Sequence, residues 1–448
     1  MMRKDLAVIF SVAVIVIFWN LGAGSLSSWD EGFYGGVARG ILKTGNWLDL
    51  VWSGGRWSDK PPLYFWATAL AMKTFGVNEF SVRFFSAVAA VATVLLVYLM
   101  TRKVYSERAA FASAMVLIST RQFIWAGKMG MLDATLTFFI ALSIFFFILG
   151  EKKKIFLFLC PVAFGFAFMT KGVGALSAPA ALFLYLLFTK KFRLLKEPLL
   201  ISGIFAGLII PVCWNAIEFR HYGKEFIRGS FVTHLFLRTT TAMDGHTGNF
   251  LTYLGVIPNK GRPWGLAGLC LIPYFLWRAL NNKEEKHVPF ICWAAVVILI
   301  FSAVKTKLYW YITPVYPALA VMTGVFAEQV FGKNTRMLTF TLAVISIAYL
   351  GYTKGVFNLD YSPEIKKTAM EIRTLPGAAG GMLLYGVGDP DMQFYLGDIG
   401  TNVGEKEFTD LTEKGKVLVT TRESIGNLKG LKFTELFERS GSLVVRVK

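Results

Sequence analysis

The chain of 448 residues is 54% hydrophobic and 15% aromatic, with a mean hydropathy of +0.52 that soluble domains rarely reach. Its formal net charge is +18, although residues 354–448 carry 13 basic and 13 acidic residues, so the whole excess lies in the apolar part. This composition predicts a polytopic membrane protein. A nucleic-acid-binding protein is disfavoured, because no basic stripe or recognition motif accompanies the charge.

Eleven apolar segments predict transmembrane helices, although several are shorter than the roughly 20 residues that a crossing requires. The first segment is similar to a signal peptide, but no small-residue cleavage site precedes Asp30, so we expect an uncleaved helix. The two segments that meet at Lys171-Gly172 are alternatively one broken or re-entrant hairpin. The predicted spans are residues 5–22, 81–101, 108–125, 132–150, 155–171, 173–189, 199–218, 264–280, 288–304, 308–330 and 336–353.

Compact basic clusters between the spans predict a cytoplasmic N-terminus, because such clusters are retained inside. Basic residues are equally numerous on the two sides of the membrane part, so their number alone does not settle the orientation. Eleven spans would then place a C-terminal domain, residues 354–448, outside the cytoplasm and leave residues 1–353 as the transmembrane domain. The clusters are Arg102-Lys103, Lys152 to Lys154, Lys190-Lys191 with Arg193, and Lys333 with Arg336.

The predicted C-terminal domain has a different pattern from the rest of the chain. Short β-like runs at residues 382–387, 416–421 and 442–447 are separated by Gly, Asp and Pro, which predicts a small α/β domain. The four cysteines, in contrast, all fall in apolar segments and provide no disulfide framework. They are Cys160, Cys213, Cys270 and Cys292.

The first outer loop, residues 23–80, concentrates the charged residues that suggest chemistry. Asp30 and Glu31 follow the first span, and helices over residues 30–44 and 61–76 are too short to cross, so we expect both to lie at the interface. Lys60 precedes Pro61-Pro62 at the start of the second helix, where a chain reversal and a helix N-terminus both favour a phosphate. The alternative is that Asp30 only caps its helix and that Lys60 only snorkels.

This loop carries a family resemblance. Asp30-Glu31 after the first span and the run KPPLYFW from Lys60 to Trp66 resemble the first extracytoplasmic loop of membrane glycosyltransferases that use polyprenyl-phosphate sugars. That superfamily, GT-C, includes the lipid A aminoarabinose transferases and the protein O-mannosyltransferases. The resemblance extends over roughly residues 5–330 and implies a GT-C fold of about eleven transmembrane helices.

Sugar transfer from a polyprenyl phosphate requires a base for the acceptor, cations for the departing phosphate and an apolar groove for the prenyl tail. Asp30 is the predicted base and resembles the catalytic aspartate of the superfamily, with Glu31 as an assistant or acceptor ligand. Asp133 begins an apolar run, where a carboxylate is costly enough to indicate function, and it resembles the second acidic residue of these enzymes. The structural alternative for Asp133 is a helix N-cap.

Candidate phosphate ligands and substrate-orienting groups also come from a late loop, KTKLYWYITPVYPAL, that resembles a recurring feature of the superfamily. The structural alternatives are interfacial lysine anchors and an aromatic belt. The predicted phosphate ligands are Lys60, Lys305, Lys307 and Arg238, the last from the second large outer loop at residues 219–262. The predicted substrate-orienting residues are Tyr34, Tyr64, Tyr309 and Tyr311.

No cofactor is predicted as a requirement, since the chain contains no P-loop and no dinucleotide-binding fingerprint. A zinc site remains an alternative, with Asp59, His234 and His246 as ligands. Asp59 resembles a metal-binding position of aminoarabinose transferases. No His-x₃-His or Cys pair supports the site.

The leading hypothesis is an inverting glycosyltransferase at the outer face of a bacterial inner membrane. Its predicted donor is an undecaprenyl-type phosphate sugar, and its predicted acceptor is a lipid such as lipid A. Three alternatives stay open: a protein or polysaccharide glycosyltransferase of the mannosyltransferase branch, a lipid transporter or flippase, and a receptor or scaffold. Transporter charges would lie near mid-span with broken helices in a repeat, whereas the acids here begin or follow spans.

Overall fold

The computed structural model describes residues 2–448 except 53–54, 238–239, 242–244, 354, 379–380, 398–399, 404–414 and 429–430. The chain forms two compact units. We call the first the membrane unit; it contains Met1–Leu21, Ser58–Tyr64 and Arg83–Phe357. The second, the sheet unit, contains Gly22–Trp57, Phe65–Val82 and Asn358–Lys448. The boundary expected after residue 353 stays a prediction.

Most described residues are helical. From the N-terminus the helices are α1 (Met2–Phe18), α2 (Asp30–Thr44), α3 (Leu63–Phe75), α4 (Glu79–Val104), α5 (Glu107–Ile118), α6 (Arg121–Lys128), α7 (Leu132–Gly150), α8 (Ile155–Lys171), α9 (Ser177–Thr189), α10 (Pro198–Tyr222) and α11 (Lys224–Phe226). They continue with α12 (Thr252–Lys260), α13 (Gly265–Asn281), α14 (Val288–Ala303), α15 (Tyr316–Phe331), α16 (Thr335–Tyr352), α17 (Pro363–Arg373), α18 (Pro390–Leu396) and α19 (Arg422–Gly426). A π-helical segment covers Ile227–Leu237, and 3₁₀ turns cover Gly172–Leu176, Phe192–Lys196, Glu285–His287, Tyr309–Val315 and Gly332–Asn334.

Each of the eleven predicted apolar segments contains a helix, but one of them is broken. The run expected over residues 108–125 divides into α5 and α6, whose axes differ by 64°. The hydroxyl of Thr120 donates to the carbonyl of Val116 at 2.7 Å, and such back-bonding competes with the helical hydrogen-bond ladder.

Six helical stretches of the described chain are long and apolar enough to cross a membrane, and a seventh is added if α5 and α6 form one span. One of the six, Ile155–Thr189, reverses direction. Its Lys171 contacts Asp133 in the first turn of α7, whereas its Tyr185 contacts Glu151 just after the last turn of α7. Helices α8 and α9 therefore run antiparallel, as a hairpin at Lys171-Gly172 requires.

A second reversal occurs within Tyr309–Tyr352. Glu328 of α15 accepts a hydrogen bond from Ser106, just before α5, while Ser346 of α16 donates to the carbonyl of Ser119, just after α5. Glu328 and Ser346 both lie in the C-terminal halves of their helices, but they contact opposite ends of α5. Helices α15 and α16 therefore run antiparallel. The total of eleven crossings stays a prediction.

Close helix packing in the membrane unit depends on glycine. Gly203 and Gly207 are four residues apart on α10, and both face α8. A Cβ at Gly203 would lie 2.4 Å from the carbonyl oxygen of Phe158, and one at Gly207 would lie 2.2 Å from that of Pro161. Small residues at this spacing let helix backbones approach closely where lipid provides no hydrophobic driving force.

The sheet unit contains a five-stranded mixed sheet and a small two-stranded hairpin. The hairpin pairs β1 (Val51–Trp52) with β2 (Gly55–Arg56). The larger sheet has the order β4-β3-β5-β7-β6, in which β3 lies parallel to β4 and β5, and β7 lies antiparallel to β5 and β6. Its strands are β3 (Met382–Leu384), β4 (Gly400–Asn402), β5 (Val417–Thr420), β6 (Phe433–Arg439) and β7 (Ser442–Val447).

The three predicted strands of the C-terminal region are confirmed as β3, β5 and β7. Leu383, Leu418 and Val445 of these strands share one buried apolar cluster. In the first loop the two expected short helices are also present as α2 and α3. Within α2, Gly40 lets other backbone approach closely, because a Cβ there would lie 2.2 Å from the carbonyl oxygen of Val51.

We expect Gly207→Ala to destabilise the membrane unit, even though alanine is the better helix former by about 1 kcal/mol. The added methyl group meets backbone that cannot rotate away, and overpacking of this kind costs about 1–3 kcal/mol. Thermal unfolding in detergent measures the change. Gly255→Ala is the matched control, because its Cβ meets nothing within 4 Å. An equal midpoint for the two variants would contradict this packing.

Candidate active site

The membrane unit contains a cavity of about 170 Å³ beside the start of α7 and the end of α8. Apolar side chains of α8 and α14 form much of its wall, including Phe168, Ile300 and Phe301. Polar groups converge on the same space. They are Asp59, Lys60, Lys171, Asn215, Ser230 and Tyr311. An apolar wall with a few converging polar groups is the usual form of a ligand site.

Lys60 reaches this cavity from the segment that precedes α3. The hydroxyl of Ser230 donates to the carbonyl of Ser58 at 2.9 Å and so fixes the segment. Lys60 Nζ donates to the carbonyl of its neighbour Asp59 at 3.0 Å, and both side chains are half-buried. Helix α3 begins at Leu63, so the proline pair directly precedes the helix and does not form its first turn as predicted. Lys60 thus lines the cavity, and its phosphate-binding role stays a prediction.

The predicted acid Asp133 is paired with Lys171, a residue for which the sequence indicated no role. Lys171 Nζ lies 2.6 Å from Asp133 Oδ1, and the side chains of Lys171 and Asp133 are 12% and 2% exposed. The same ammonium group lies 4.6 Å from the ring centroid of Tyr311. The N-cap of α7 is Met131, so Asp133 lies inside the first turn and is not the cap.

Lys171 thus adds a second cation to the cavity beside Lys60. One feature of the sequence does point to Lys171: it ends an apolar run. A lysine there is as costly in a membrane as the aspartate at position 133. Its pairing with Asp133 could not be read from the sequence, because 38 residues separate the two positions.

Two lysines of the late loop differ in their surroundings. Lys307 is buried, and its Nζ donates to the carbonyls of Phe301 at 2.9 Å, Ser302 at 2.6 Å and Val304, so it caps the C-terminal end of α14. Burial and, secondarily, the charge of Lys305 lower the pKa of Lys307. Lys305 is exposed. The phosphate-binding role of both lysines stays a prediction. The three carbonyl contacts of Lys307 account for its burial without a phosphate.

The four predicted substrate-orienting tyrosines occupy unlike environments. Tyr64 is fully buried, and its hydroxyl forms a hydrogen bond of 3.0 Å with Ser86, so it has a packing role. Tyr34 is also buried in the sheet unit, with its ring against Trp57 and Phe65. Tyr309 and Tyr311 are half-buried, and Tyr311 lines the cavity. The predicted orienting role of all four tyrosines stays a prediction.

The predicted base Asp30 is the first residue of α2 in the sheet unit, and it is half-buried. Its neighbour Glu31 is fully buried and accepts a hydrogen bond from the backbone N–H of Ser27 at 2.8 Å. Glu31 therefore holds the turn before Asp30 by a hydrogen bond to the backbone. Its predicted role as an assistant of Asp30 or as an acceptor ligand stays a prediction.

The predicted zinc ligands are only partly within the described structure. Asp59 lines the cavity, and His246 is exposed while its carbonyl accepts from the N–H of Lys307 at 3.0 Å. The side chain of His234 and the whole of Arg238 lie outside the described residues. Within the part of the chain that is described, no group of three or more His, Cys, Asp or Glu side chains forms a metal cluster. The zinc site stays a prediction.

Comparison with known proteins relates this architecture to glycosyltransferases. The family model for dolichyl-phosphate-mannose-protein mannosyltransferases matches residues 59–215. The structure of ArnT from Cupriavidus metallidurans bound to undecaprenyl phosphate superposes with a TM-score of 0.83 at 20% identity. That match covers 99% of this chain and 98% of ArnT.

Two relatives by sequence complete the comparison. The undecaprenyl phosphate-alpha-4-amino-4-deoxy-L-arabinose arabinosyl transferase of Edwardsiella ictaluri is 26% identical over 363 residues, which cover 78% of this chain and 64% of the relative. An uncharacterized protein of Aquifex aeolicus is 32% identical over 356 residues, which cover 78% of this chain and 69% of that protein. The chain belongs to the GT-C glycosyltransferases, close to the aminoarabinose transferases.

Because the chain belongs to the GT-C glycosyltransferases, the transporter and scaffold hypotheses are wrong. The prediction of a multi-pass membrane enzyme is confirmed. The matched family region includes both cavity lysines and Asp133, whereas Asp30 precedes it. This GT-C chain spans less than two thirds of the Edwardsiella relative.

We expect Asp133→Asn to destabilise the membrane unit strongly, because it leaves the ammonium group of Lys171 buried without its partner. Removal of one member of a buried pair costs about 3–5 kcal/mol, whereas neutral replacement of both members is far less costly. Denaturant unfolding of Asp133→Asn, Lys171→Met and the double variant measures these differences. The double variant should regain most of the loss.

The matched control is Glu197→Gln, which breaks an exposed pair of the same 2.6 Å length with Lys154. Such exposed pairs contribute about 0–1 kcal/mol. If Asp133→Asn were as stable as Glu197→Gln, the buried pair would not have the structural importance that its geometry implies.

Proposed function

We propose that this GT-C enzyme transfers a sugar, with inversion, from a polyprenyl phosphate such as undecaprenyl phosphate to a lipid acceptor such as lipid A. The observation that carries the proposal is the cavity in which Lys60 and Lys171 meet an apolar wall. A lipid-linked phosphate needs both environments in one place. The Edwardsiella relative is named for an undecaprenyl-phosphate-linked aminoarabinose, which supports this donor class.

The cavity cations would act on the leaving group. As the bond between the anomeric carbon and the phosphate oxygen breaks, negative charge grows on the phosphate, and preorganised positive groups stabilise that charge. Lys60 supplies a compact ammonium group at the cavity, and Lys171 supplies a second one that Asp133 holds in place. Phe168, Ile300 and Phe301 would receive the first apolar part of the prenyl tail.

Asp30 would act on the acceptor. Its carboxylate takes the proton from the acceptor hydroxyl while the acceptor oxygen attacks the anomeric carbon from the face opposite the phosphate. One glycosidic bond forms, the bond to the phosphate oxygen breaks, and the products are the glycosylated acceptor and polyprenyl phosphate. The transferred proton remains on Asp30 until solvent removes it. This single displacement inverts the anomeric configuration.

The proposed location is the outer face of a bacterial inner membrane, with the C-terminal region outside the cytoplasm. Contacts between loops within the membrane unit support a consistent alternation of sides. Ser106 contacts Glu328, and Lys191 contacts both Glu151 and Glu285, and all these positions were predicted to lie near the cytoplasmic face. The cavity residues, in contrast, belong to segments predicted at the outer face.

A protein or polysaccharide acceptor is the second candidate, because the matching family model describes protein mannosyltransferases. Mass spectrometry of lipid A and of membrane glycans, from cells with and without the protein, distinguishes the acceptors. A sugar that disappears from lipid A with loss of the protein supports the lipid acceptor. A change confined to glycoproteins or polysaccharide supports the second candidate.

Asp30→Asn should lower the transfer rate by about 10²–10⁴-fold, because it preserves the shape of the side chain but removes the general base. The amount of folded enzyme and its affinity for the polyprenyl-phosphate donor should persist. Turnover of the purified variant with a defined lipid-linked sugar measures the effect. Wild-type turnover by Asp30→Asn would show that the carboxylate only begins a helix.

Lys60→Met should abolish most transfer, since a cation on the departing phosphate contributes more in the transition state than in the ground state. Lys60→Arg should recover only part of the rate, because a wide planar fork replaces a compact ammonium group. Steady-state kinetics should show a lower kcat as well as weaker donor binding. Lys73→Met, at an exposed position of α3, is the control and should leave the rate unchanged.

An anchoring lysine would instead tolerate both substitutions with little effect on the chemical step. A wild-type kcat for purified Lys60→Met would therefore remove the phosphate assignment from Lys60. Lys171 would then be the first residue to test in its place.

A further inference from the structure

The backbone directly before Asp30 is strained. Trp29, the N-cap of α2, has φ 71° and ψ −106°, a conformation that residues with a side chain rarely adopt. Its side chain is 65% exposed, so the ring itself does not hold this conformation. Such backbone persists only when the surrounding structure fixes it, and it is concentrated at functional sites.

Three successive residues before Trp29 are each held by a hydrogen bond. The N–H of Leu26 donates to the hydroxyl of Tyr395 at 2.7 Å, and the N–H of Ser27 donates to Glu31 at 2.8 Å. The hydroxyl of Ser28 donates to Asp391 Oδ1 at 3.1 Å. Two of the three partners belong to one short helix of the C-terminal region, α18.

The hydroxyl of Tyr395 both accepts and donates a hydrogen bond, which holds the side chain in place. It is 4% exposed, and its hydroxyl donates to Glu79 Oε1 at 3.0 Å while it accepts from Leu26. Glu79 also pairs with Lys366 of α17 at 2.5 Å, and Lys366 donates to the carbonyl of Gly24 at 2.8 Å. The hydroxyl thus connects both ends of the first loop with the C-terminal region.

Asp391 is a buried carboxylate with few contacts. It is 0% exposed, Oδ1 accepts from Ser28, and Oδ2 has no hydrogen-bond partner among the described residues. A buried charge is costly unless it is compensated, and here compensation comes from Ser28 and from the first turn of α18, where the helix dipole favours an anion. Such a residue is poorly explained by stability alone.

Gly32 brings the two helices together. A Cβ at this position would lie 2.5 Å from the backbone nitrogen of Asp391 and 2.8 Å from the carbonyl carbon of Pro390. Only glycine therefore lets the first turn of α18 lie against the first turn of α2. Arg39, two turns further along α2, donates to the carbonyl of Phe394 at 3.0 Å and extends this contact.

We propose that Tyr395 and Asp391 are positioning residues of the transfer reaction, which hold the strained turn at Trp29 and thereby aim the carboxylate of Asp30. The C-terminal region is then part of the catalytic apparatus. This inference rests on the proposed role of Asp30 as general base. A small displacement of a catalytic group is sufficient to change the rate, because near-attack geometry tolerates little error.

The kinetic test uses purified full-length Tyr395→Phe and Asp391→Asn, each alone and combined with Asp30→Asn. Each single variant should lower kcat by about 10–100-fold, the range that a displacement of about 1 Å produces, with the donor KM within about twofold of wild type. In the Asp30→Asn background the same substitutions should have almost no further effect, because residues that act through one group are not additive. Additive losses, or an unchanged kcat, would overturn the inference.

A second measurement needs no substrate. Hydrogen–deuterium exchange over residues 26–34 should accelerate at least tenfold in Tyr395→Phe, because the turn loses the hydroxyl that holds Leu26. Unchanged exchange there would overturn the inference. A wild-type enzyme that transfers no sugar from any polyprenyl phosphate would instead overturn the proposed function, and the exchange result would still decide whether Tyr395 holds the turn.

Matched controls separate positioning from general loss of structure. Tyr352→Phe removes the hydroxyl of a side chain that is 92% exposed, and Glu423→Gln neutralises an exposed carboxylate of α19. Gly32→Ala should reproduce the loss of kcat, whereas Gly426→Ala, whose Cβ meets nothing within 4 Å, should not. A control variant with the same kcat loss as Tyr395→Phe would overturn the specific role of α18.

Discussion

The buried pair of Asp133 and Lys171 is the constraint on which the cavity depends. Neither charge is tolerated alone in this apolar surrounding, so each requires the other within hydrogen-bond distance. The pair thereby joins the first turn of α7 to the last turn of α8 and fixes where the α8–α9 hairpin reverses. It also places one ammonium group beside Tyr311, in the cavity that Lys60 enters from another segment.

Glycine sets the distances elsewhere in the molecule. Gly203 and Gly207 allow α10 to approach α8 in the membrane unit, and Gly32 and Gly40 allow other backbone to approach α2 in the sheet unit. In each case an added Cβ would meet backbone within 3 Å. Positions that look permissive in the sequence are therefore among the least tolerant, because backbone atoms cannot move aside as side chains do.

The polar residues that were predicted to bind substrate fall into two groups, which differ in how deeply they are buried. Glu31, Lys307 and Tyr64 direct their polar atoms at the protein itself, respectively at a turn, a helix end and a neighbouring serine. Lys60 and Tyr311 are only half-buried, and both line the cavity. The same residue types at similar distances from a span thus perform different tasks, and buried polar groups must be satisfied before any is available to a substrate.

The sequence by itself determined the membrane class, the eleven helical segments, strands β3, β5 and β7, and the position of Lys60 before a helix, since periodicity, hydropathy and proline chemistry are local. The tertiary structure alone decided which charges meet. Lys171 pairs with Asp133 across 38 residues, and Tyr395 bonds to Leu26 across 369 residues. No local pattern encodes such partners, because burial and hydrogen bonding depend on how distant segments pack, and that is settled only when the whole chain folds.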